Sequence, residues 1–404
     1  MTVVDLPLKG VRVLDLSRVL AGPYCSLMMA DLGADVVKIE NPKGGDDSRG
    51  FSVPNVDGHA VYFMAVNRNK RSVAIDLKSK AGRDVFLKLV AQSDIVLENF
   101  RTGVMERLGL GYDTLKQIKP ELIYCAISGY GRDGPNVDVP GYDPVAQAES
   151  GLMSMSGDPD GEAVRTGPSL VDMVCGMFTA HSAIAALRHA ERTGEGRFVE
   201  ATLHESGLNM LINFAASHLI TGAVPTRAGN TNQLAQPAGV YQASDGPLMI
   251  AVGNNGQFTR LCRDVLQRQD LLDDPRFVDN AARVRNRPDL EDILAKIFAG
   301  APRQDWVVKL RNADVPAGAV ASVDQALGSE LVSARGIIRD VEHAGVGSYR
   351  ALMGPVRLHD SEATPLNGAP LLGQHTRDVL RDLAGLSDAA IDELAAGDVV
   401  KLTD

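Results

Sequence analysis

The stretch SLVDMVCG, Ser169 to Gly176, sets a single carboxylate, Asp172, between Leu170, Val171, Met173 and Val174. Two chemistries are open to an acid in that setting. It can cap a helix, because first-turn amides are unpaired and the helix dipole is positive there. Held ionised by the same helix end, it can also act as a nucleophile or a base. Ser169 is a credible N-cap, which makes Leu170, Val171 and Asp172 the first helical residues and predicts an ionised Asp172. On this stretch alone, plain capping is the commoner role.

Groups that could hold an anion or a ring lie elsewhere. Arg68, Lys70, Arg71 and Lys78 cluster in VNRNKRSVAIDLK, within a chain of 41 basic and 51 acidic residues. A solvated charged face is the usual meaning of such a run. Lys78, however, falls just past a strand end, where α/β sheets collect ligands. ENFRTGVMERLGLGYD starts at another strand end. There Asn99 can hydrogen-bond a base or ribose, Phe100 can cover an aromatic ring, and Arg101 or Arg107 can meet a phosphate. Taken singly, Phe100 also fits a core and the arginines a surface. GYGRDG, Gly129 to Gly134, satisfies a dinucleotide glycine pattern, but Pro135, Asp138 and Pro140 continue a loop where that motif needs a helix. SRVLAG has one glycine where three are required, so Glu40 stands alone as a mimic of the acidic ribose ligand. These glycines read as turn formers. His59, His181 and His204 have no spacing that marks a dyad, and no metal site is expected.

The elements that must position these groups are legible. Val11–Leu16, Ala34–Ile39, Ser72–Leu77, Asp94–Leu97 and Leu122–Ser128 are Val/Ile-rich runs, several of them separated by helix-compatible stretches at Tyr24–Leu32 and Ala81–Ala91. That alternation predicts a parallel sheet covered by helices, a Rossmann-like α/β unit. Helices are expected at Leu170–Glu191 and His204–Thr221, with a strand at Arg197–Leu203 between them. Beyond Gly222 the texture turns polar, then VYQASDGPLMIAVGN reads as a hairpin around Asp245-Gly246. Helical pieces follow at Phe258–Asp270, Leu290–Phe298 and Asp305–Ala313. The expected division is a large domain over 1–224, a smaller α+β domain over 225–325, and a linker with a helical tail over 326–404.

A hydrophobic content of 45% over 404 residues supports substantial cores, and a net charge of -10 argues against general attraction to nucleic acid or an anionic membrane. Cys25, Cys125, Cys175 and Cys262 are far apart and read as buried thiols. No run approaches about twenty uninterrupted apolar residues, and the N-terminus lacks a leader pattern. A cytoplasmic protein is expected.

Taken together, SRVLAGPYCSLMMADLGADVVKIE, NRNKRSVAIDLK, DIVLENFRTGVMERLGLGYD, ISGYGRDGP, SLVDMVCG and APLLGQHT resemble the family III CoA-transferases, the group of formyl-CoA, carnitine and bile-acid CoA-transferases. The similarity runs in order from about Leu8 to His375 and includes VGNNGQF, DDPRF and DVPAGAV. The resemblance implies that Asp172 is a nucleophile, acylated as an anhydride and then converted to an aspartyl-CoA thioester. Acyl-CoA and small carboxylic acids would be the substrates, with no permanently bound cofactor. It implies CoA contacts at Leu20, Ala21, Ile75, Asp76, Leu77, Lys78, Asn99, Phe100, Arg101, Arg107, Tyr142 and Asp143. It also implies a homodimer of two interlocked ring-shaped chains, the C-terminal segment completing the large domain.

The same fold hosts α-methylacyl-CoA racemases, whose base is a histidine in a GHD-type motif. Here that tripeptide is Gly141-Tyr142-Asp143, and tyrosine is a poor base at neutral pH. A racemase, or a catalytically silent CoA-binding protein, is therefore the weaker expectation. Formyl-CoA transferases carry a glycine-rich loop where this chain has Asn232-Gln233-Leu234-Ala235, and a glutamine where it has Leu20. That points to a different acid, with succinyl-CoA or another dicarboxylyl-CoA as donor, and to Gln236 as an acceptor-site candidate.

Overall fold

Each aliphatic run read as a strand takes its place in one seven-stranded sheet of a computed structural model that describes residues Val4–Thr403. The strands are β1 (Arg12–Asp15), β2 (Asp35–Glu40), β3 (Lys70–Ile75), β4 (Ile95–Glu98), β5 (Ile123–Ser128) and β6 (Phe198–Thr202). They run parallel in the order β3-β2-β1-β4-β5-β6, the doubly wound arrangement. Val400–Lys401 adds an antiparallel edge, pairing Val400 with Ile75 and Lys401 with Ala74.

Among the described residues nine α-helices precede residue 222: α1 (Ala21–Asp31), α2 (Val61–Val66), α3 (Lys80–Val90), α4 (Val104–Arg107), α5 (Tyr112–Ile118), α6 (Asp143–Glu149), α7 (Leu170–Thr193), α8 (Leu203–Met210) and α9 (Ile212–Thr221). Side chains alternate along the strands and both faces are covered, so apolar residues occur on both faces of each central strand. Val13, Ile95, Leu97, Ile123 and Cys125 pack under α1 and α7 with Met29, Ala183 and Leu187. Leu14, Val37, Val96 and Tyr124 face the other way, onto Phe86 and Leu89 of α3 and onto Val379, Leu380 and Ile391 near the C-terminus. All four cysteines are buried free thiols.

The packing of α1 on α7 depends on Gly176. A Cβ there would stand 2.5 Å from the Ala21 carbonyl oxygen, so the two helices meet only because the side chain is absent. By length and composition α7 is apolar enough to cross a membrane, a feature that a search for an uninterrupted apolar run misses because Asp172, His181, Ser182 and Arg188 break the run. Val171, Cys175, Ala180 and Ala183 of this helix are buried within the chain.

The chain divides into two units, one of residues 1–152, 165–221 and 335–404, the other of residues 153–164 and 222–334. The short excursion at 153–164 interrupts the first unit between α6 and α7. In the second unit, β7 (Ala238–Ala243) and β8 (Gly246–Ala251) form the hairpin expected at Asp245-Gly246, with Ala243 opposite Gly246, and β9 (Ala317–Ala319) pairs with β8. Its core gathers Tyr241, Leu248, Ile250, Phe258, Phe277, Leu290, Phe298 and Trp306.

Three expectations change. The helix read over His204–Thr221 is two helices, because the Leu211 amide turns back to the Leu208 carbonyl at 3.0 Å and ends α8. The piece read over Phe258–Asp270 stops at Gln267, whose φ of +55° is left-handed. The stretch read as a connection after residue 326 contains an antiparallel hairpin, Ile338–His343 with Gly347–Leu352, whose largely polar strands gave no alternation signal.

Candidate functional site

β1 and β4 are neighbours at the centre of the sheet, and the chain leaves them toward opposite sides, the switch point at which open α/β sheets bind ligands. The loops that follow them, Arg18–Leu20 and Asn99–Thr102, line a cleft of about 290 Å3 together with Ser128–Gly131, Val137–Tyr142 and Asp172. Gly129 and Gly141 let the loop after β5 close on itself: a Cβ on Gly129 would lie 2.6 Å from the Gly141 Cα. The glycines of GYGRDG are thus turn and contact residues, as their sequence context indicates. Leu20 and Ala21 line the cleft where α1 begins, with no side-chain cap on that helix.

Asp172 sits in the first turn of α7, but the helix end is organised differently from expectation. The Ser169 side chain makes no capping bond. The cap is supplied from α6: Asp143 Oδ1 accepts from the Val171 amide at 2.8 Å and from the Asp172 amide at 3.2 Å. Asp143 Oδ2 accepts from Gln147 Nε2 at 2.7 Å, and Gln147 Oε1 accepts from the Thr166 amide at 2.9 Å. Asp143, 2% exposed, therefore consumes the helix amides that were expected to keep Asp172 ionised. Burial, and then the Asp143 charge, push the Asp172 carboxyl up to about 7. It has no ion-pair partner among the described residues.

A second cleft of about 160 Å3 shares Arg18 and Phe100 with the first and is lined by Ile39, Ile75, Asp76, Leu77, Lys78, Val104 and Leu108. Of the expected CoA contacts, Leu20, Ala21, Asn99, Phe100, Arg101 and Tyr142 line the first cleft, and Ile75 to Lys78 with Phe100 line the second. Arg101 is exposed, without an ion-pair partner among the described residues, and Tyr142 is 65% exposed.

Four expected residues stand otherwise. Asn99 has its side-chain amide committed to the loop after β1, Oδ1 accepting from the Arg18 amide and Nδ2 donating to the Arg18 carbonyl, both at 2.8 Å. Asp143 is the cap just described, with its carboxylate turned into the protein. Arg107 is exposed on α4 and lines neither cleft. Gln236 is 1% exposed, and its Nε2 donates to Thr231 Oγ1 at 2.9 Å and to the Asn232 carbonyl at 2.6 Å, so it clamps its own loop and presents no free group.

The basic cluster also disperses. Arg68 pairs with Asp31, Arg71 with Asp35 at 2.6 Å, and Lys70 with Asp15 at 3.1 Å, so that of the four only Lys78 lines either of the two clefts described above. Glu40 is 4% exposed and pairs with Arg49 at 2.7 Å.

Sequence reasoning missed Tyr62. Burial and the charges of Asp172, Asp143 and Asp46 push its phenol up to about 12, placing it within electrostatic reach of the candidate nucleophile. Nothing in VYFMAV distinguishes it from an aromatic core residue. It missed Glu98 as well, a fully buried acid that contacts Arg132 and accepts from the Phe100 amide at 2.8 Å, tying together the loops after β4 and β5. Among the described residues no histidine lines the cleft, so the imidazole base of a GHD-type motif has no counterpart there. Among the described residues no group of three His, Cys, Asp or Glu is placed to hold a metal ion.

The profile of CoA-transferase family III matches residues 8–376. Over 395 residues the chain is 36% identical to the succinyl-CoA:glutarate CoA-transferase of Mus musculus, covering 98% of this chain and 90% of that protein. It is 37% identical over 390 residues to the succinate–glutarate CoA-transferase of Agrobacterium fabrum, covering 95% and 97%. Among solved structures, a CAIB/BAIF family protein from Brucella suis matches with a TM-score of 0.84 at 36% identity, over 94% of this chain and 100% of that one.

Proposed function

Because this chain belongs to CoA-transferase family III and moves CoA between acyl-CoA thioesters and carboxylic acids, we propose that Asp172 carries the transfer covalently and that the acids are small dicarboxylates. One observation supports this above the others. Asp172 borders the cleft at the switch point with no cation to compensate it, and its acidity is weakened to about 7. A carboxylate of that basicity is a better nucleophile than an ordinary one, and acylation removes the charge that burial and Asp143 disfavour.

The steps balance as follows. An Asp172 oxygen attacks the thioester carbonyl of the donor, the C–S bond breaks, and CoA leaves as thiolate with a mixed aspartyl anhydride behind it. The thiolate attacks the aspartyl carbonyl, the anhydride C–O bond breaks, and the donor acid departs as its carboxylate, leaving aspartyl-CoA thioester. An incoming carboxylate attacks that thioester and expels the thiolate, which then attacks the acceptor's carbonyl to release the new acyl-CoA and free Asp172. A carboxylate conserves the activation that water would discharge by hydrolysis. Each tetrahedral intermediate needs donors for its oxyanion, and the first-turn amides of α1 near Ala21 are on the same cleft.

The second cleft, with Ile39, Leu77, Val104 and Leu108 on its walls and Lys78 at its edge, suits the adenine and phosphate end of CoA. The pantetheine arm would pass Phe100 and Arg18, common to both clefts, toward Asp172. Arg18 and Arg101 supply local positive charge in a chain of net charge -10. Succinyl-CoA as donor and glutarate as acceptor are the pair suggested by the names of the relatives.

A homodimer is part of this reading. α9 has no buried residue and exposes Ile212 by 66% and Leu219 and Ile220 by 82% each, which is an apolar face awaiting a cover. Sedimentation of the purified chain would report the mass of the assembly.

The chemistry is tested by incubating the protein with a panel of acyl-CoAs, trapping with hydroxylamine or borohydride, and locating the adduct by mass spectrometry. The expected result is a modified Asp172 with no solvent deuterium at the substrate α-carbon. Deuterium exchange without an adduct would establish α-proton chemistry in its place.

A further inference from the structure

Val19 is the one β-branched residue among the described residues with a left-handed backbone, at φ +66°. The other non-glycine residues in that region are aspartates, an asparagine and a glutamine. For a valine the conformation is an outlier that persists only when surrounding structure holds it.

The holding is done from beneath. Asp46 Oδ1 accepts from the Val19 amide at 3.1 Å, while Asp46 Oδ2 pairs with Lys38 Nζ at 3.0 Å. Lys38 Nζ also donates to the Ser17 carbonyl at 2.8 Å, and Asp15 Oδ1 accepts from the Ser17 amide at 2.9 Å. Asn99 grips Arg18 on both sides. Three consecutive peptide units are thereby fixed by side chains from β1, β2, the loop after β2 and the loop after β4. The Lys38 and Asp46 side chains are 0% exposed, and neither lines the cleft that holds Asp172.

A buried ion pair is a poor way to gain stability, since an apolar pair of the same volume serves as well or better. Its use here calls for a geometric reason. Immediately after Val19 the chain enters α1 through Leu20 and Ala21, which line the Asp172 cleft with no side-chain cap.

We propose that the Lys38–Asp46 ion pair is a positioning device for CoA transfer, holding Val19 left-handed so that the uncapped start of α1 faces the acyl group at Asp172. This rests on the reading that amides near Ala21 receive the oxyanion. Lys38 and Asp46 are positioning residues: neither lines the cleft that holds Asp172, and Asp46, which borders the second cleft, has its carboxylate turned inward to Lys38 and the Val19 amide.

The test is a cycle in two backgrounds. Replacing the pair together by Lys38→Met and Asp46→Leu removes the grip while keeping the interior neutral and filled. In the natural background this lowers kcat by about 10- to 100-fold, with KM for the acyl-CoA changed by less than about threefold. In a Val19→Gly background the same double replacement costs less than about threefold, because glycine takes a left-handed backbone without being held. A structural role would move the thermal midpoint alike in both backgrounds and leave no difference in kcat. Equal losses in the two backgrounds, or no loss in the natural one, overturn the proposal. If circular dichroism shows the double variant unfolded, Asp46→Ala carries the same cycle. Asp172→Ala is assayed alongside: exchange retained in that variant defeats the covalent reading, whereas an inactive Asp172→Ala with an uncoupled cycle defeats the positioning role alone.

Discussion

Asp15 and Asp172 are carboxylates of the same unit, both largely removed from water, and they are treated in opposite ways. At Asp15, fully buried at the end of β1, burial raises the pKa, but Lys70, Lys38 and the hydroxyls of Ser17 and Ser26 outweigh it and hold the acid below its ordinary value. At Asp172, burial and then Asp143 both act upward, and no cation answers them. The chain thus has the means to stabilise an interior carboxylate, using two fully buried lysines a few residues from the cleft, and does not apply them at α7. A compensated buried acid organises structure, while an uncompensated one beside a cleft is available for chemistry.

That contrast breaks most simply at the two acids themselves. Asp172→Ala is expected to lower the rate of CoA exchange between acids by roughly 1000-fold or more, as loss of a covalent nucleophile does, while the protein stays folded with no fall in its thermal midpoint. Steady-state exchange assays and calorimetry on one preparation check both halves. The counterpart is Lys70→Met, which leaves Asp15 in the interior without its 3.1 Å partner. It should cost about 3–5 kcal/mol of stability, read from urea denaturation. If the two variants exchanged phenotypes, the division between structural and reactive acids would fail.

A smaller effect is expected where the two regions touch. Gly176→Ala drives a methyl group into the Ala21 carbonyl, so α1 and α7 must separate at the cleft. Overpacking of this kind costs about 1–3 kcal/mol and should lower kcat more than it raises KM for acyl-CoA. A variant with unaltered kcat would show that the spacing of α1 and α7 does not matter to the reaction.

Much of this contrast is readable in the amino-acid order, for a physical reason. Parallel strands buried on both faces write Val/Ile-rich runs, so β1 to β5 follow from local pattern, whereas the strand order that makes β1 and β4 neighbours does not. Asp172 is visible because a charge interrupts such a run. What is not legible is how side chains pair across distance. Asp143 lies 29 residues from the amide of Asp172 that it caps, and no local rule distinguishes that role from a ligand contact. For the same reason Gln236, Asn99, Arg68, Lys70 and Arg71 read as possible ligand groups, though the folded chain occupies each of them internally. Tyr62 and Glu98 leave no mark in sequence, since their roles arise from neighbours supplied by other elements.

The mildest test concerns the acidity of Asp172. The nucleophile is the carboxylate, so with its pKa raised to about 7 the free enzyme's kcat/KM should fall about tenfold per pH unit below that point. Asp143→Asn removes the second of the two causes and should move this acidic limb downward by less than about one pH unit. The cap survives only in part, because Asp143 accepts on both oxygens and an asparagine amide would oppose Gln147 Nε2 donor to donor. Linkage supplies an independent sign. A folded pKa raised above the unfolded value of about 3.9 contributes stability that is fully present below that pH and is lost as pH rises through the folded pKa. Asp172→Asn should therefore raise the thermal midpoint relative to the natural chain at pH 8, with the gap closing toward pH 4. An acidic limb at the ordinary carboxylate range, or a midpoint gap of the opposite sign, would mean that Asp172 has a compensating partner and is no different in kind from Asp15.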